Sequence, residues 1–397
     1  MAFLKESFES FNMIYETILY GDGIHDDTDA IRERLKCGGH VILSKGVYLI
    51  SDTLYIPENT YFQLQMGAVV RLADGACCCM LKNEVGYGRN ITIEGGIWDG
   101  NNSTQKRGKV YPDKPFFMGI VMRFEEVTDL CIKNLTVKDP ESYAIQIRNV
   151  DRFTVENITF DFNMLRPNMD GVHIQGKARN GVVRNIKGAT NDDMIALNCD
   201  DGYDDGEKGI IAQGDIENII IDGIFADNGY TGVRMLSCGS KMRNVAIRNV
   251  FGTYRFYGIS FTHHDIIPGA PVWFDGIVLE NIFASKPPQD PPVDRKFIDG
   301  IDRVYGEGCH DGAVRYAPII WFASGIRCGN IIIRNLNRIE EAITDARTIQ
   351  IDENVHIKQL YLSGISQKFI SCLPPSLIDN RGKIDVFIKD IQESEEL

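Results

Sequence analysis

One short phrase recurs along most of this 397-residue chain: a β-type run, then Asn or Gly, then an aliphatic residue. Seven successive phrases have as their marker residues Asn134, Asn157, Asn185, Gly223, Asn249, Asn281 and Asn335. The separations are 23, 28, 38, 26, 32 and 54 residues, so a minimal unit of 23 residues carries irregular additions. A unit with insertions is typical of a solenoid whose loops leave between successive coils.

A second set of short alternating segments lies between these phrases and recurs in step with them. The segments are YAIQI, DGVHI, DMIAL, TGVRM and YGISF. Strands that repeat coil by coil pair in parallel about 4.8 Å apart, so their aliphatic residues stack inside and the alternate residues point outwards. The inward set is Val172, Ile174, Ile195, Leu197, Val233, Met235, Ile259 and Phe261. The pattern predicts an all-β, right-handed parallel β-helix.

Antiparallel folds also alternate, and a β-sandwich or a propeller is the alternative architecture. Their hairpins need two-residue turns such as Asn-Gly, which are sparse in this sequence. Asn or Gly at a fixed place instead suits a bend in the left-handed backbone region, or a ladder of side-chain hydrogen bonds. The β-helix is therefore favoured.

The chain is predicted to be a single β-helix domain over 1–397. A helix from about Asp27 to Lys36 would cover the open end of the core. Residues 286–318 are rich in Pro and Asp, and they are predicted to form a long loop rather than a linker between domains. The predicted parts are an N-terminal cap with the first strands (18–60), the coils (61–370), an inserted loop (286–318) and a C-terminal tail (371–397).

Composition and charge restrict the class of partner. The net charge of -13 argues against nucleic acid, because phosphate binding is driven by Lys and Arg. No apolar run approaches the ~20 residues that span a bilayer, so no membrane partner is expected. Ten scattered cysteines without paired CxxC units predict reduced thiols. Because the start of the chain lacks the pattern of a secretory signal, we expect a cytoplasmic protein.

Aligning the second set of segments brings acidic residues of two coils together. Asp170 and Asp193 fall in one outward column, about one coil rise of ~4.8 Å apart, and Asp192 is adjacent. Three carboxylates on one solvent-facing patch repel one another, so at least one should have a raised pKa. A protonated acid beside an ionised base is what glycosidic cleavage requires. These three residues are the predicted catalytic group, although NDD alone would be a hydrated turn.

Two motifs on these successive coils resemble glycoside hydrolase family 28, the polygalacturonases. NMDGVHIQG and NDDMIALN are similar to the family's Asn-Thr-Asp and Gly-Asp-Asp motifs, and YGDGIHDDTDAI resembles the opening of many pectin-active β-helix proteins. The resemblance implies that Asp192 is the general acid, that Asp170 and Asp193 position and activate water, and that the reaction inverts the anomeric carbon. It also implies that Asn168 supports this cluster.

The sequence departs from the other motifs of that family. Thr231 stands where the resemblance predicts the His of Gly-His-Gly, and Ser260 and Thr262 stand where an Arg and a Lys would hold a uronate carboxylate. The identity of the sugar is therefore open. Near these columns, the candidate substrate-binding residues are Asn168, His173, Arg234, Thr231, Tyr257, His263 and His264, and the candidate stacking platforms are Tyr143, Tyr230, Tyr257 and Trp273.

Two segments contain residues that can bind metal ions, but neither is predicted to do so. THHD at the end of a strand lacks a third ligand at a recognised spacing. CDDGYDDGEKG (199–209) does not match the spacing of an EF-hand loop, and a solvated acidic loop is preferred to calcium binding by Asp200, Asp201, Asp204 and Asp205. We predict no metal and no cofactor.

The leading hypothesis is a glycoside hydrolase that cleaves a plant- or microbe-derived oligosaccharide by a carboxylate acid/base mechanism. A neutral or modified sugar is as compatible with the sequence as galacturonate. The alternatives are a β-helix lyase or a fructotransferase-type enzyme, and a non-catalytic carbohydrate-binding or tailspike-like solenoid. The partner would be an oligosaccharide substrate, and a homo-oligomer stays open.

Overall fold

The computed structural model describes residues 18–84, 86–105, 119–166, 168–200, 214–263, 273–289 and 317–393. The described strands join into one continuous 25-stranded sheet that winds as a right-handed parallel β-helix. This confirms the predicted fold. No helix among the described residues has both the length and the apolarity that crossing a bilayer requires.

Long and short strands alternate along the chain, as the two recurring segment types predict. The strands are β1 (Asp22–Asp26), β2 (Gly39–Leu43), β3 (Gly46–Ile50), β4 (Leu54–Ile56), β5 (Thr60–Leu64), β6 (Ala68–Leu72), β7 (Leu81–Asn83), β8 (Gly88–Glu94), β9 (Ile97–Asp99), β10 (Met122–Glu125), β11 (Val127–Lys138), β12 (Ile145–Asp161), β13 (Val172–Gly188), β14 (Asp193–Asn198), β15 (Ile216–Gly229), β16 (Thr231–Leu236), β17 (Lys241–Tyr254), β18 (Ile259–Thr262), β19 (Trp273–Ser285), β20 (Ile320–Phe322), β21 (Arg327–Glu340), β22 (Ile349–Ile351), β23 (His356–Phe369), β24 (Ile378–Asn380) and β25 (Val386–Glu393). The helices are α1 (Thr28–Leu35) and a short 3-10 helix (Asn102–Thr104).

Aliphatic side chains from equivalent positions stack inside the coils. Ile195 of β14 pairs with Val172 of β13 on one side and with Val233 of β16 on the other. All three side chains are fully buried, and burying each contributes about 1.5–3 kcal/mol to stability. Because the inward set is fixed in this way, the alternate residues of the short strands are held on the outer face, where the candidate site lies.

The marker residues form a ladder at the bends of the long strands. Asn157 donates a hydrogen bond to Asn134 at 2.8 Å, and Asn185 donates one to Asn157 at 2.9 Å. These three residues have φ values of 55 to 57°, in the left-handed region that Asn tolerates better than most residues. Gly223, at φ 89°, interrupts the ladder because it has no side-chain amide. Both roles predicted for the marker position, the bend and the ladder, are confirmed.

The N-terminal helix lies at the start of the solenoid, as predicted. Helix α1 buries Ile31 and Leu35 completely, and both belong to the same hydrophobic core as the coils. Asp27 precedes the helix, but its carboxylate accepts hydrogen bonds from the backbone N–H groups of Tyr20 and Gly21 rather than from the helix. The helix therefore closes the core through its apolar face.

The coils continue into the segment 371–397, where the sequence predicted a tail. Strand β25 pairs in parallel with β23, and β24 pairs with β22. The last phrase, VFIKDIQ, was missed because Asp390 takes the marker position, and Asp, like Asn, adopts the left-handed conformation, here with φ 57°. Of the predicted inserted loop 286–318, residues 290–316 lie outside the described part of the chain. The single-domain boundary stays a prediction.

Candidate active site

The outward columns predicted from the sequence are confirmed by the strand register. His173 pairs with Gln146 of the preceding coil and with Ala196 of the next, and Arg234 follows Ala196 in the same column. Asp193 accepts a backbone hydrogen bond from Gly171 N–H at 2.8 Å. The turn that ends in Asp170 and the start of β14 therefore lie side by side.

The three predicted catalytic carboxylates lie together. One oxygen from each of Asp170, Asp192 and Asp193 falls within 4.8 Å of the others. Their residues are 1%, 6% and 2% exposed, so the expectation of a solvent-facing patch is wrong. Pointing away from the core does not by itself expose a side chain, because neighbouring outward residues such as His173 and Thr231 are buried as well. Solvation of this trio is strongly reduced.

Burial is the main cause of the altered acidity in this cluster. It raises the pKa of Asp193 from 3.8 to about 7, and the nearby Asp192 carboxylate adds to the rise, while Arg234, His173 and a hydrogen bond with Thr231 oppose it. The raised pKa predicted from mutual repulsion is confirmed, but repulsion is the smaller contribution. A group of this acidity exchanges a proton near neutral pH.

Asp170 shows the same competition between burial and compensation. Burial raises its pKa, whereas His173 lowers it, chiefly through its hydrogen bond. The neighbouring Asp193 charge raises it further, and Arg234 lowers it. Asp170 and Asp193 therefore each have a cation or a hydrogen-bond donor that limits the free-energy cost of burying the carboxylate.

Arg234 lies beside the trio, one coil beyond the acidic residues. Its Nε atom is 2.8 Å from Asp193 Oδ2, and its side chain is 21% exposed. Arg234 is thus both an ion-pair partner of a buried carboxylate and a residue that reaches the surface of the site. A guanidinium in this position lowers the cost of a second negative charge in the trio.

His173 is fully buried behind Asp170, although the sequence suggested contact with substrate. Its Nδ1 atom is 2.6 Å from Asp170 Oδ2, and its Nε2 atom is 3.2 Å from Asn198 Nδ2. The ring stacks on Tyr143 with centroids 4.1 Å apart, so one face of this candidate sugar platform is covered. The structure therefore places both residues in the support of the carboxylate.

Two further predicted residues touch the trio directly. Asn168 Nδ2 donates a hydrogen bond to Asp192 Oδ2 at 3.2 Å. Thr231 pairs with Asp193 across the coils, is 2% exposed and contributes a side-chain hydrogen bond to it. Thr231 thus stands where the family pattern has a His, but it offers a hydroxyl rather than a titratable ring.

The remaining candidates lie further from the carboxylates. Tyr257 stacks on Trp321 with centroids 4.6 Å apart, two coils beyond Asp193. His263 Nε2 lies 2.8 Å from the carbonyl oxygen of Ser324, so the ring makes a hydrogen bond to a loop. His264 lies outside the described residues. Tyr257 and Trp321 form an aromatic pair on the C-terminal side of the site.

Two other expectations concern the rim of the site. Asp200, from the acidic segment 199–209, accepts hydrogen bonds from the backbone N–H groups of Cys238 and Ser240 at 3.0 and 2.9 Å, so it holds a turn. Asp201, Asp204 and Asp205 lie outside the described residues. Tyr230 is 5% exposed beneath the Arg255 guanidinium, 5.3 Å from the ring centroid, and is packed rather than offered to a sugar.

A buried network that sequence reasoning missed supports the two acidic turns. Arg255, which is fully buried, donates to the carbonyl oxygen of Thr190 at 2.6 Å and to Asn191 Oδ1 at 3.0 Å. Asn191 donates to the carbonyl oxygen of Arg166 at 2.8 Å, and Arg166 pairs with buried Glu141 at 2.8 Å. Asp192 is the next residue after Asn191, and Asn168 lies two residues after Arg166, so this network fixes where the two acidic turns meet.

Comparison with known families agrees with this geometry. Residues 78–250 match the family model "Glycosyl hydrolases family 28", a span that includes both acidic motifs. Over these residues the chain is similar to the polygalacturonase-like enzymes of this family. Its divergence lies in the residues already described, since Thr231, Ser260 and Thr262 replace the expected basic side chains.

The similar proteins include polygalacturonases and a protein named for binding plasmin and fibronectin. A polygalacturonase of Gossypium barbadense is 26% identical over 61% of this chain and 59% of that protein. "Plasmin and fibronectin-binding protein A" of Streptococcus pneumoniae is 24% identical over 61% of this chain, but this stretch covers just 36% of that protein. The structure of an endo-xylogalacturonan hydrolase from Aspergillus tubingensis has a TM-score of 0.59 at 12% identity, covering 92% of this chain and 96% of that one, and shares the fold.

Proposed function

We propose that this protein is a glycoside hydrolase that cleaves an oligosaccharide derived from pectin or a related polysaccharide. The carrying observation is the gathering of Asp170, Asp192 and Asp193 within 4.8 Å, with burial raising the pKa of Asp193 to about 7. Hydrolysis of a glycosidic bond needs a proton donor and a proton acceptor side by side. In a buried trio that shares a proton near neutrality, one carboxyl group holds the proton while its neighbours stay ionised, and this supplies both the donor and the acceptor.

Asp192 is the general acid in this proposal. It is the most exposed of the three carboxylates, at 6%, and Asn168 donates to its Oδ2 atom at 3.2 Å. Asp192 gives a proton to the glycosidic oxygen while Asp170 and Asp193 hold a water molecule that attacks the anomeric carbon. The water loses its proton to this pair, the carbon–oxygen bond breaks, and two hydroxyl-bearing sugars leave.

Inversion at the anomeric carbon stays a prediction that rests on the family resemblance. Inverting enzymes usually hold their two carboxyl groups roughly 6.5–9.5 Å apart, and retaining enzymes roughly 5–5.5 Å apart. The nearest oxygens of this trio are within 4.8 Å, so their spacing does not by itself favour inversion. Proton NMR of the first product formed will identify its anomer directly.

The choice of substrate depends on how charge is recognised near the trio. Ser260 lies next to Arg234 in the outward column, where a basic residue of the family pattern is absent. Arg234 already pairs with Asp193 at 2.8 Å. We therefore include neutral and xylose-substituted pectic oligosaccharides beside galacturonate oligomers as substrates to test.

The test is cleavage of homogalacturonan, xylogalacturonan, rhamnogalacturonan and inulin oligosaccharides by the wild type, Asp192→Asn and Asp161→Asn. Asp161 is the matched control because its side chain is 69% exposed on the same solenoid. We expect new reducing ends with the wild type and the control, and a loss of about 10²- to 10⁴-fold in kcat for Asp192→Asn, the usual contribution of a general acid. Full turnover by Asp192→Asn would overturn the assignment, and unsaturated products or dianhydrides would indicate a lyase or a transferase.

A non-catalytic binding protein is the second candidate, because a relative is named for binding plasmin and fibronectin. We infer that in this case the solenoid surface, rather than the trio, would carry the activity. Surface plasmon resonance with plasmin, fibronectin and the same oligosaccharides tests this. Binding that is equal for the wild type and Asp192→Asn, together with no product from any oligosaccharide, would favour the binding protein over the hydrolase.

A further inference from the structure

Asp170, His173 and Asn198 form a buried hydrogen-bonded line. His173 Nδ1 is 2.6 Å from Asp170 Oδ2, and His173 Nε2 is 3.2 Å from Asn198 Nδ2. The three residues are 1%, 0% and 0% exposed. The line connects the first acidic motif to the end of strand β14 on the next coil, so two coils act on one carboxylate.

The donors and acceptors in this line determine where its protons lie. With the Asn198 amide oriented so that its nitrogen faces the ring, Nδ2 donates and His173 Nε2 accepts. A neutral ring that accepts at Nε2 carries its proton on Nδ1, and that proton is donated to Asp170 Oδ2. Asp170 is therefore an acceptor at this oxygen, as an ionised carboxylate is.

The ring of His173 is also fixed in orientation. It stacks on Tyr143 with an interplanar angle of 11° and centroids 4.1 Å apart. A ring turned away from this plane would lose the contact with Tyr143 and both hydrogen bonds. The line is thus held in one geometry by packing as well as by polar contacts.

The second oxygen of Asp170 is available for chemistry. Oδ1 is buried and has no hydrogen-bond partner among the described residues. Since Oδ2 is occupied by His173, a water molecule held by Asp170 would bond to Oδ1. A buried acceptor without a donor is destabilising, so a water or a substrate hydroxyl at this place would be stabilised by the hydrogen bond it donates.

We propose that His173 is a positioning residue that keeps Asp170 ionised, so that Asp170 takes the proton of the attacking water. This inference rests on the proposed hydrolase function. In the reaction, Oδ1 of Asp170 accepts the water proton as the water oxygen bonds to the anomeric carbon, and Asp192 protonates the leaving oxygen. His173 keeps its Nδ1 proton throughout, and Asp193, Asp192 and Arg234 are the other charged groups facing Asp170.

The direct test is the tautomer of His173, which does not depend on turnover. The chain has seven histidines, so ¹⁵N-histidine labelling gives few resonances, and His173→Asn identifies the one in question. We expect a neutral ring protonated at Nδ1 between pH 6 and 8. A ring protonated at Nε2 would place the proton on Asp170 and overturn the proposal, whether or not the protein cleaves any sugar.

The kinetic test uses the oligosaccharide that is cleaved in the substrate screen. His173→Leu removes the hydrogen-bond donor to Asp170. We expect kcat to fall about 10- to 100-fold with little change in KM, and we expect the acid limb of the pH profile of kcat to move up by about one pH unit. His173→Asn retains a short donor near the Nδ1 position and should recover most of kcat and the wild-type limb. Gln146→Leu, one coil earlier in the same column and also fully buried, is the control for packing. Equal acid limbs in His173→Leu and Gln146→Leu would refute the proposal.

Discussion

Asp193 gives the most direct link between the buried site and a measurable free energy. Its carboxyl is 2% exposed, and burial, opposed by Arg234, raises its pKa from 3.8 to about 7. The folded protein therefore binds this proton more tightly than the unfolded chain does. The stabilisation from the proton is fully present below about pH 4 and is lost as the pH rises through about 7.

The size of this effect follows from the two pKa values. The two pKa values differ by about 3, and each pKa unit corresponds to 1.36 kcal/mol, so about 4 kcal/mol of stabilisation has been lost by pH 8. About 2 kcal/mol of it is already lost at pH 5, because the unfolded carboxyl is mostly ionised there. In Asp193→Asn, which has no proton to lose, the free energy of unfolding should fall about 2–3 kcal/mol less than in the wild type between pH 5 and pH 8.

Urea unfolding followed by tryptophan fluorescence at pH 5 and pH 8 measures this difference. Asp193→Asn also loses the contact with Arg234. Because this cost does not depend on pH, it cancels when the two pH values are compared. Asp161→Asn, with its carboxylate on the exposed surface, should keep the wild-type pH dependence. The reasoning is refuted if Asp193→Asn and the wild type lose the same free energy between the two pH values.

Substitutions at three other positions test the buried network at the site, the asparagine ladder and the core. Arg255→Met should lower the free energy of unfolding by about 1–3 kcal/mol for each acceptor left unpaired, at Thr190 and Asn191, and thermal melting measures this. The same variant should have a lower kcat because the acidic turns loosen, which turnover measures. Asn157→Ala should cost about 2 kcal/mol through two ladder hydrogen bonds and the left-handed backbone, and Asn157→Gly should recover the backbone part in the same urea titration. Ile195→Ala should cost about 2–5 kcal/mol in the core, with urea unfolding as the measurement.

The columns of the site could be predicted because side chains alternate along a parallel strand and equivalent residues pair without offset. The pairs Gln146 with His173 and Ala196 with Arg234 follow from the spacing of the short segments alone. The ladder of marker residues could be predicted for the same reason, since Asn recurs at the bend of most coils. Periodicity thus specifies which residues are neighbours on the surface of a solenoid.

Burial and long-range support could not be predicted in the same way. Alternation separates inward from outward residues, but it does not say whether an outward residue is covered, and so Asp170 and Asp193 were expected to face solvent. Arg255 lies 64 residues from Asn191 and has no local pattern that marks it as a partner. His173 was identified beside Asp170, but its buried position depends on Tyr143 and Asn198 from two other coils.

The place of Arg234 links recognition of the sugar to the acidity of the site. Arg234 limits the rise in the pKa of Asp193, and it is the cation that reaches the surface beside the trio. If a uronate carboxylate drew Arg234 away, Asp193 would lose an opposing charge and bind its proton still more tightly. A neutral sugar would leave the ion pair intact, so the same guanidinium cannot fully serve as a uronate clamp and as the counter-charge of Asp193. Under the proposed function, Ser260 and Thr262 in place of basic residues therefore make a sugar without charge the first substrate to test at this position.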